Sequence, residues 1–331
     1  MEALIGNQTL WNTLLSAIRE KRVAGCYLIE GADGTGKLTV ARLAAAALCC
    51  TSPNADSTPC LKCHSCQNIF RGNYIDVTEL RAEEDGKRIS VEQVREMLQF
   101  THVTATEGDW RIFIIDDSQN MKKESQNALL KSIEEPGEKT VFFLLTSDKT
   151  KLLPTVRSRA VTLHTVPLSD DEMRKALATE NLSEDRLQEI VLLSAGSLGK
   201  ARELLEDDAS LAYRKIVLDY FTVIMNGGGF TKLSLVIPPS STNRKDLPLV
   251  LSLIKSALRD LICYRTEGFL KPLFFTDMKF VRDFSSIISV PTATRLFHMC
   301  DSLLRSAEQN VNVFSALSGL HLLAQNLTKE E

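Results

Sequence analysis

Two groups of residues near the start of the chain could do chemistry, and they follow each other closely. The first is a glycine-rich run with the spacing of a phosphate-binding loop, Gly31-Ala32-Asp33-Gly34-Thr35-Gly36-Lys37-Leu38-Thr39. The second is a set of cysteines with metal-ligand spacing, Cys50, Cys60, Cys63 and Cys66. A glycine loop alone indicates only some nucleotide-binding fold, whereas a cysteine knuckle directly after its helix restricts the chain to very few families.

The loop has the parts that hold phosphate but lacks one that holds magnesium. Glycines let backbone N–H groups turn towards phosphates, and a lysine binds the outer phosphates, so we expect nucleotide contacts from Gly31, Gly34, Gly36 and Lys37. The next position should carry a hydroxyl for magnesium, but it is Leu38, and the hydroxyl of Thr39 comes about 100° further round a helix. The spacing favours phosphate binding without efficient hydrolysis. A strand-to-helix turn with no ligand stays an alternative.

Two aspartates follow a continuous apolar run, 112–115, that reads as a buried strand. In working ATPases with such a loop, an Asp at this position helps to hold magnesium and an adjacent Glu polarises the attacking water. Here the pair is Asp116 and Asp117, and an aspartate is one methylene shorter than a glutamate. An error of about 1 Å in catalytic positioning can cost a hundredfold in rate. The pair indicates either a nucleotide site whose own hydrolysis is lost or a solvated strand end.

The cysteines have the pattern of a structural zinc site. Cys60, Cys63 and Cys66 form two overlapping Cys-x2-Cys pairs, and Cys50 at the end of the preceding helix supplies a fourth thiolate. Cys49 competes with Cys50 for that place, and His64 is a weaker competitor. Four sulfurs fill a tetrahedral shell, so no open catalytic position is expected. The alternative is a group of unpaired thiols with one or two of them buried.

Composition restricts the function classes further. The 331 residues are 44% hydrophobic and 24% charged, with a net charge of -3 and a pI near 6.0, which is unusual for a protein whose main task is to coat nucleic acid. The first nine residues lack the pattern of a secretory signal, and no apolar run approaches the roughly 18 residues of a membrane span. We expect a cytoplasmic protein, in which clustered thiols are more often metal ligands than disulfides.

Strand and helix patterns alternate in the first half of the chain and become helical after Val166-Pro167. Apolar runs predict strands at 26–29, 112–115 and 141–145, and apolar periodicity predicts helices at 8–22, 38–48 and 90–100. This alternation indicates an α/β domain with a parallel sheet. Beyond residue 169 the pattern predicts helices across 170–207, 210–225 and 247–267, with loops at Gly227-Gly228-Gly229 and at 238–241.

Several segments resemble the bacterial DNA polymerase III clamp-loader subunits. They are Asn127-Ala128-Leu129-Leu130-Lys131-Ser132-Ile133-Glu134-Glu135-Pro136, the segment Pro154-Thr155-Val156-Arg157-Ser158-Arg159, the cysteine knuckle, and Gly196-Ser197-Leu198-Gly199-Lys200-Ala201. The resemblance covers residues 1 to about 205. It implies an AAA+ (RecA-like P-loop) domain over 1–166 with a zinc knuckle at about 50–66, a small helical lid over 167–208, and an all-α collar domain over 209–331.

The resemblance also implies roles for individual residues. Arg159 corresponds to an arginine finger that reaches the ATP of a neighbouring subunit, although Ala160 stands where the family's motif has a cysteine. Thr146 falls at the family's sensor 1 and Lys200 at its sensor 2. A surface arginine paired with a carboxylate is the alternative for Arg159.

The family assembles a five-subunit ring that uses ATP to load a sliding clamp onto primed DNA. Because Leu38 and Asp117 replace groups that hydrolysis needs, the resemblance implies a non-hydrolysing member whose partners are the tau/gamma and delta subunits, the sliding clamp and, through the complex, primed DNA. One alternative is an active ATPase subunit of the same loader that uses Thr39 and Asp117 in an unusual way. The other is an unrelated zinc-stabilised nucleotide-binding protein that acts alone.

Overall fold

The computed structural model describes residues 4–82, 88–101, 103–206, 209–236, 247–267, 272, 274–275, 277–306 and 313–330. These residues form two compact units. The first comprises Met1–Asn181 and Gly196–Lys200, and the second comprises Leu182–Ala195 and Ala201–Glu331. The predicted division at residues 166 and 208 is finer than this grouping and stays a prediction.

The first unit contains a five-stranded parallel sheet with the strand order β2-β3-β4-β1-β5. Its strands are β1 Cys26–Glu30, β2 Val77–Leu80, β3 Arg111–Ile115, β4 Thr140–Thr146 and β5 Val161–His164. The three interior strands are those that the apolar runs predict, and their residues are almost entirely buried. The two edge strands are partly exposed and were not predicted.

Helices cover both faces of this sheet. They are α1 Gln8–Arg19, α2 Lys37–Cys49, α3 His64–Arg71, α4 Val91–Leu98, α5 Lys123–Glu134 and α6 Pro154–Arg157, and a further helix, α7 Asp170–Ala176, follows β5 in the chain. Residues alternate across each strand, so Tyr27 and Ile29 pack with α1 and α2, whereas Leu28 packs in the opposite layer with Leu129 of α5. This double covering explains why the interior strands are continuous apolar runs.

Two predicted helices are longer than those in the structure. The first was expected to reach residue 22, but α1 ends at Arg19 because Lys21 adopts a left-handed conformation with φ 56°. The second was expected over 90–100, but Ser90 is the N-cap of α4 and forms a capping box with Gln93. That helix ends at Leu98.

Beyond His164, every regular element in the described ranges is a helix. After α7 come α8 Glu184–Ser194, α9 Leu198–Glu206, α10 Ala209–Met225, α11 Phe230–Val236, α12 Leu247–Glu267, α13 Met278–Ser285, α14 Val290–Ser306 and α15 Val313–Glu330. The apolar positions of α12 are buried within the second unit, namely Leu251, Leu253, Ile254, Leu258 and Leu261. The loop predicted at 238–241 lies outside the described residues. No helix in the described ranges combines the length and apolar character needed to cross a bilayer.

Candidate functional site

The glycine loop connects β1 to α2 at the carboxyl end of the sheet. Gly34 and Gly36 have positive φ angles of 72° and 92°, a conformation that residues with a Cβ rarely adopt. Gly36 is the N-cap of α2, and Lys37 is the first residue of that helix. The strand, turn and helix therefore follow in the order that a phosphate-binding loop requires.

The amine of Lys37 is turned into its own loop. It donates hydrogen bonds to the backbone carbonyls of Gly31 at 2.8 Å and Ala32 at 3.0 Å, and it lies 3.3 Å from the carboxylate of Asp33. The lysine is only 6% exposed. An ammonium group has three donors, so these three contacts satisfy all of them in this conformation.

The residues after the lysine differ in environment. Leu38 is partly buried and packs against the apolar cluster beside α2, while Thr39 lies exposed on the surface of that helix. The position at which a phosphate-binding loop carries its magnesium-binding hydroxyl is therefore occupied by an apolar side chain that packs against its neighbours. The loop itself is tied to the sheet by Thr35, whose hydroxyl lies 2.7 Å from that of Thr165 just beyond β5.

A short segment of the same unit, Gly196–Lys200, packs directly on the loop. The Ser197 hydroxyl donates to the Asp33 carbonyl at 2.9 Å, and the Gly199 N–H donates to the Gly34 carbonyl at 3.1 Å. A Cβ built on Gly199 would lie 2.8 Å from the Gly34 Cα, so two glycines meet here without side chains. Lys200, the predicted sensor 2 residue, follows immediately, and its N–H donates to the Ser197 hydroxyl at 3.1 Å.

The two predicted aspartates occupy the end of β3 in different ways. Asp116 is largely buried, and Arg81 Nε lies 3.6 Å from its carboxylate. Burial and the neighbouring charge of Asp117 raise the pKa of Asp116, although Arg81 acts in the opposite direction. Asp117 has a left-handed φ of 51°, and its carboxylate accepts a hydrogen bond from Gln119 at 3.0 Å.

Thr146, the predicted sensor 1 residue, ends β4 and is fully buried. Its carbonyl accepts the Gly31 N–H at 3.0 Å and its hydroxyl accepts the Asp148 N–H at 3.1 Å, so it links β4 to the start of the glycine loop. Gln119, which follows β3, links the end of that strand to the end of β4, because its side-chain oxygen accepts the Ser147 N–H at 3.2 Å. The sheet thus brings the glycine loop, Asp116 and Thr146 to one edge.

Arg159 lies just after α6, and its guanidinium contacts the chain's own surface. One nitrogen donates to the Thr155 carbonyl at 3.0 Å and to the Ser158 hydroxyl at 3.3 Å, and the other forms an ion pair with Glu134 at the end of α5. The side chains of Arg159 and Glu134 are 37% and 43% exposed. Ala160 packs against the apolar layer that contains Leu28 and Leu129, where a small side chain suffices.

The four predicted cysteines converge. The Sγ atoms of Cys50, Cys60, Cys63 and Cys66 all lie within 4.8 Å of one another, and those of Cys50 and Cys63 are 3.9 Å apart. Four sulfurs placed tetrahedrally at about 2.3 Å from a zinc ion would be about 3.8 Å apart. Leu61 adopts a left-handed φ of 58°, which turns the chain between the first two ligands of the Cys-x2-Cys pairs.

Backbone N–H groups point at this cluster and favour thiolates at two of its positions, since the pKa values of Cys60 and Cys63 are lowered, whereas burial raises the pKa values of Cys50 and Cys66. The Cys60 N–H lies 3.4 Å from the Cys50 sulfur, and the Cys63 N–H lies 3.3 Å from the Cys60 sulfur. Burial alone would raise the pKa of Cys63, but hydrogen bonds from the N–H groups of Cys66 and Thr51 lower it to about 6. Thiolates are the form that binds a metal ion.

The two competing ligands lie outside the cluster. Cys49 is the last residue of α2 and is buried in the apolar core, where burial raises the pKa of its thiol to about 12. His64 is exposed, with its ring 2.8 Å from the Asn68 amide and 3.7 Å from the Glu107 carboxylate. The geometry therefore identifies Cys50, rather than the adjacent Cys49, as the fourth candidate ligand. The spacing alone could not decide between these two residues.

Sequence reasoning missed an additional buried carboxylate. Asp76, just before β2, is fully buried and accepts hydrogen bonds from the N–H groups of Thr106, Glu107 and Gly108 at 2.7 to 2.9 Å. Arg111 lies 3.2 Å from it. No periodicity marks such a residue, because its partners come from a loop about 30 positions later in the chain.

The strand order, the glycine loop and the helices that follow give the chain an AAA+-type fold, with a P-loop α/β domain followed by helices. A solved structure from Thermotoga maritima, a DNA polymerase III gamma subunit-related protein, has the same fold, with a TM-score of 0.54 and 17% identity. That match covers 96% of this chain and 99% of the other.

Residues 6–169 match the family described as "DNA polymerase III, delta subunit". The chain is 35% identical over 201 residues to DNA polymerase III subunit delta' of Pseudomonas aeruginosa, which covers 60% of each protein. It is 30% identical over 219 residues to DNA polymerase III subunit tau/gamma of Haemophilus influenzae, which covers 64% of this chain and 31% of that protein. Over this part of its length the chain is similar to the clamp-loader subunits of DNA polymerase III. It spans between about a third and three fifths of the length of these relatives.

Proposed function

We propose that the chain is a delta-prime-type subunit of the DNA polymerase III clamp loader, a ring component that does not hydrolyse ATP itself. The observation that carries this proposal is the state of the glycine loop. The Lys37 amine forms its hydrogen bonds within its own loop, and the apolar side chain of Leu38 occupies the position where a Ser or Thr hydroxyl would bind magnesium. The site retains Gly31, Gly34, Gly36, Thr39, Asp116, Asp117, Thr146 and Lys200 as the remnant of a nucleotide site.

In this role Arg159 acts in trans as an arginine finger. A guanidinium placed against the transferring phosphoryl group of a neighbouring subunit stabilises negative charge in the transition state. Its exposed position after α6 suits such a contact. The neighbours would be tau/gamma and delta subunits, and the assembled ring would act on the sliding clamp and primed DNA.

The four-thiol cluster completes the proposal with a structural zinc ion. Cys50, Cys60, Cys63 and Cys66 would be its ligands, and the ion would hold the segment between α2 and α3 in place. Soft thiolate ligands at these separations suit zinc better than magnesium or calcium, which prefer oxygen. With four sulfurs filling its coordination shell, the ion would have a structural role.

A second candidate is an active tau/gamma-type ATPase subunit. The similarity to tau/gamma of Haemophilus influenzae favours it, as do the intact spacing from Gly31 to Lys37 and the aspartate at the end of β3. In that case the Lys37 amine would leave the loop carbonyls when nucleotide binds, and Thr39 or Asp117 would replace the missing groups.

Steady-state ATP turnover separates the two candidates. The purified chain is assayed with magnesium, sliding clamp and primed DNA, beside a Lys37→Ala variant. We expect no turnover above that of the variant, since hydrolysis needs the hydroxyl and the glutamate that the chain lacks. Turnover that the variant loses would assign the chain to the ATPase class instead.

A gain-of-function variant makes the same test in the other direction. Leu38→Thr combined with Asp117→Glu restores both missing groups at their expected positions. If the departures at these two positions explain the loss of hydrolysis, this variant should bind magnesium nucleotide more tightly than the natural chain and should gain measurable ATP turnover. Turnover unchanged at zero, together with unchanged affinity, would mean that the packing of Gly196–Lys200 on the loop also blocks the site.

A further inference from the structure

The ion pair between Arg159 and Glu134 connects two elements that are otherwise separate in sequence. Glu134 is the last residue of α5, and Arg159 follows α6. The guanidinium is held on both sides, because its other nitrogen donates to the Thr155 carbonyl at 3.0 Å and the Ser158 hydroxyl at 3.3 Å. A side chain held in this way lies along its own chain rather than extending towards a neighbour.

We propose that Glu134 is a positioning residue that holds Arg159 against the chain's own surface until the phosphates of a neighbour's nucleotide replace its carboxylate. This inference rests on the proposed function, because it requires Arg159 to act in trans. The guanidinium fork binds a carboxylate or a phosphate with the same donors, so the two anions compete for it. A triphosphate carries more negative charge than one carboxylate and therefore wins when the subunits meet.

The position of Glu134 in α5 supports this competition. The C-terminal end of a helix carries partial negative charge, so a carboxylate there is unfavourable unless a cation lies nearby. Arg159 supplies that cation. When Arg159 leaves, Glu134 loses this countercharge and only Lys131 remains as a basic residue in the last turn of α5, which sets a small cost on extending the finger.

The cost must be small, because both side chains are more than a third exposed. Exposed ion pairs are weak and are screened by salt. Loss of this pair therefore changes the equilibrium between the held and the extended forms of Arg159 by about two- to fivefold rather than by orders of magnitude. A weak contact suits a residue that must be released in every assembly cycle.

The experiment titrates the chain into a tau/gamma-type ATPase with magnesium ATP, sliding clamp and primed DNA. For each variant it measures maximal turnover and the concentration of chain that gives half of it. Glu134→Gln should lower that half-maximal concentration about two- to fivefold at low salt, with maximal turnover unchanged. The difference from the natural chain should shrink as the salt concentration is raised.

Glu135→Gln is the matched control, since it removes the same charge one residue further along and should behave like the natural chain. Glu134→Asp, which keeps the carboxylate, should restore most of the natural behaviour. Thermal unfolding of each variant excludes an effect on folding, and Glu134→Ala provides a second removal of the carboxylate.

The outcomes separate this inference from the proposed function. If Arg159→Ala stimulates the partner as well as the natural chain does, Arg159 is not a finger and the proposed function fails. If Arg159→Ala loses the stimulation but Glu134→Gln equals the natural chain or needs a higher concentration, only the role of Glu134 is overturned.

Discussion

At the scale of single residues, the direction of one side chain decides what a motif does. The sequence spacing correctly predicts which four cysteines meet, but it cannot choose between Cys49 and Cys50. The choice depends on where α2 ends, because consecutive helical residues point about 100° apart. Cys49 is the last helical residue and faces the core, whereas Cys50 is extended and faces the other thiols.

The orientation of Lys37 and the pairing of Arg159 could not be predicted for a similar reason. Residue type and spacing place Lys37 at a phosphate loop, but its contacts with the loop carbonyls depend on the loop's conformation. Glu134 and Arg159 are separated by a strand, β4, and by α6. Only the packing of the sheet and its helices brings those two residues together.

The zinc ion proposed for the thiol cluster leads to a prediction about two adjacent residues. Cys50→Ser should reduce the metal content of the purified chain from about one zinc ion per chain to well below that, because one of four thiolates is lost. Cys49→Ala should leave the zinc content unchanged, since its sulfur lies in the apolar core. Elemental analysis of the two purified variants measures this directly. Equal zinc loss in both would contradict the assignment of Cys50.

Asp76 makes a prediction about stability. Burial alone would raise its pKa, but three backbone N–H groups and Arg111 lower the pKa below its ordinary value. Asp76→Asn should destabilise the fold by about 3 kcal/mol, because it leaves Arg111 without its buried countercharge. Urea denaturation at neutral pH measures this, and Asp148→Asn, at an exposed N-cap, is the control with an effect below about 1 kcal/mol.

The pH dependence of this effect has a definite sign. A carboxyl with a lowered pKa in the folded state stabilises the fold at pH values above its ordinary pKa of about 3.9. That stabilisation is lost as the pH falls below this value and the carboxyl is protonated. The difference between the natural chain and Asp76→Asn should therefore shrink as urea denaturation is repeated from pH 5 down to about pH 3. A constant difference over that range would contradict the assignment.

At the scale of elements, burial decides which strands a sequence reveals. The interior strands β1, β3 and β4 are covered on both faces and read as apolar runs. The edge strands β2 and β5 are half exposed, and both mix polar with apolar residues. Sequence therefore predicts the middle of this sheet and misses its edges.

The contact of Gly196–Lys200 with the glycine loop makes a prediction at this scale. Gly199→Ala places a methyl group 2.8 Å from the Gly34 Cα, and backbone must move to admit it. We expect a loss of about 1–3 kcal/mol in the free energy of unfolding, although alanine's helix preference offsets part of it. Gly229→Ala is the control, because its added Cβ meets nothing within 4 Å. Equal stability of the two variants in urea would mean that the segment does not rest on the loop.

At the scale of the whole molecule, the described residues form two compact units, and the segments that resemble clamp-loader subunits lie mainly in the first of them. The first unit carries the glycine loop, Arg159 and the thiol cluster, and the regular elements described in the second are all helices. The motifs that resemble clamp-loader subunits all lie before about residue 205, so sequence predicts the first unit in detail. For the second unit it predicts little beyond helices, because amphipathic helices look alike in many folds.

The order of the strands in the sheet has a consequence in time. Cys26 in β1 pairs with Phe142 and Tyr27 pairs with Val161, so β1 lies between two strands that leave the ribosome more than a hundred residues after it. Contacts so distant along the chain form slowly, because a long loop must close first. The four thiols, in contrast, are all synthesised by residue 66. During synthesis all four cysteines of the thiol cluster are therefore present long before the first strand has either of its neighbours.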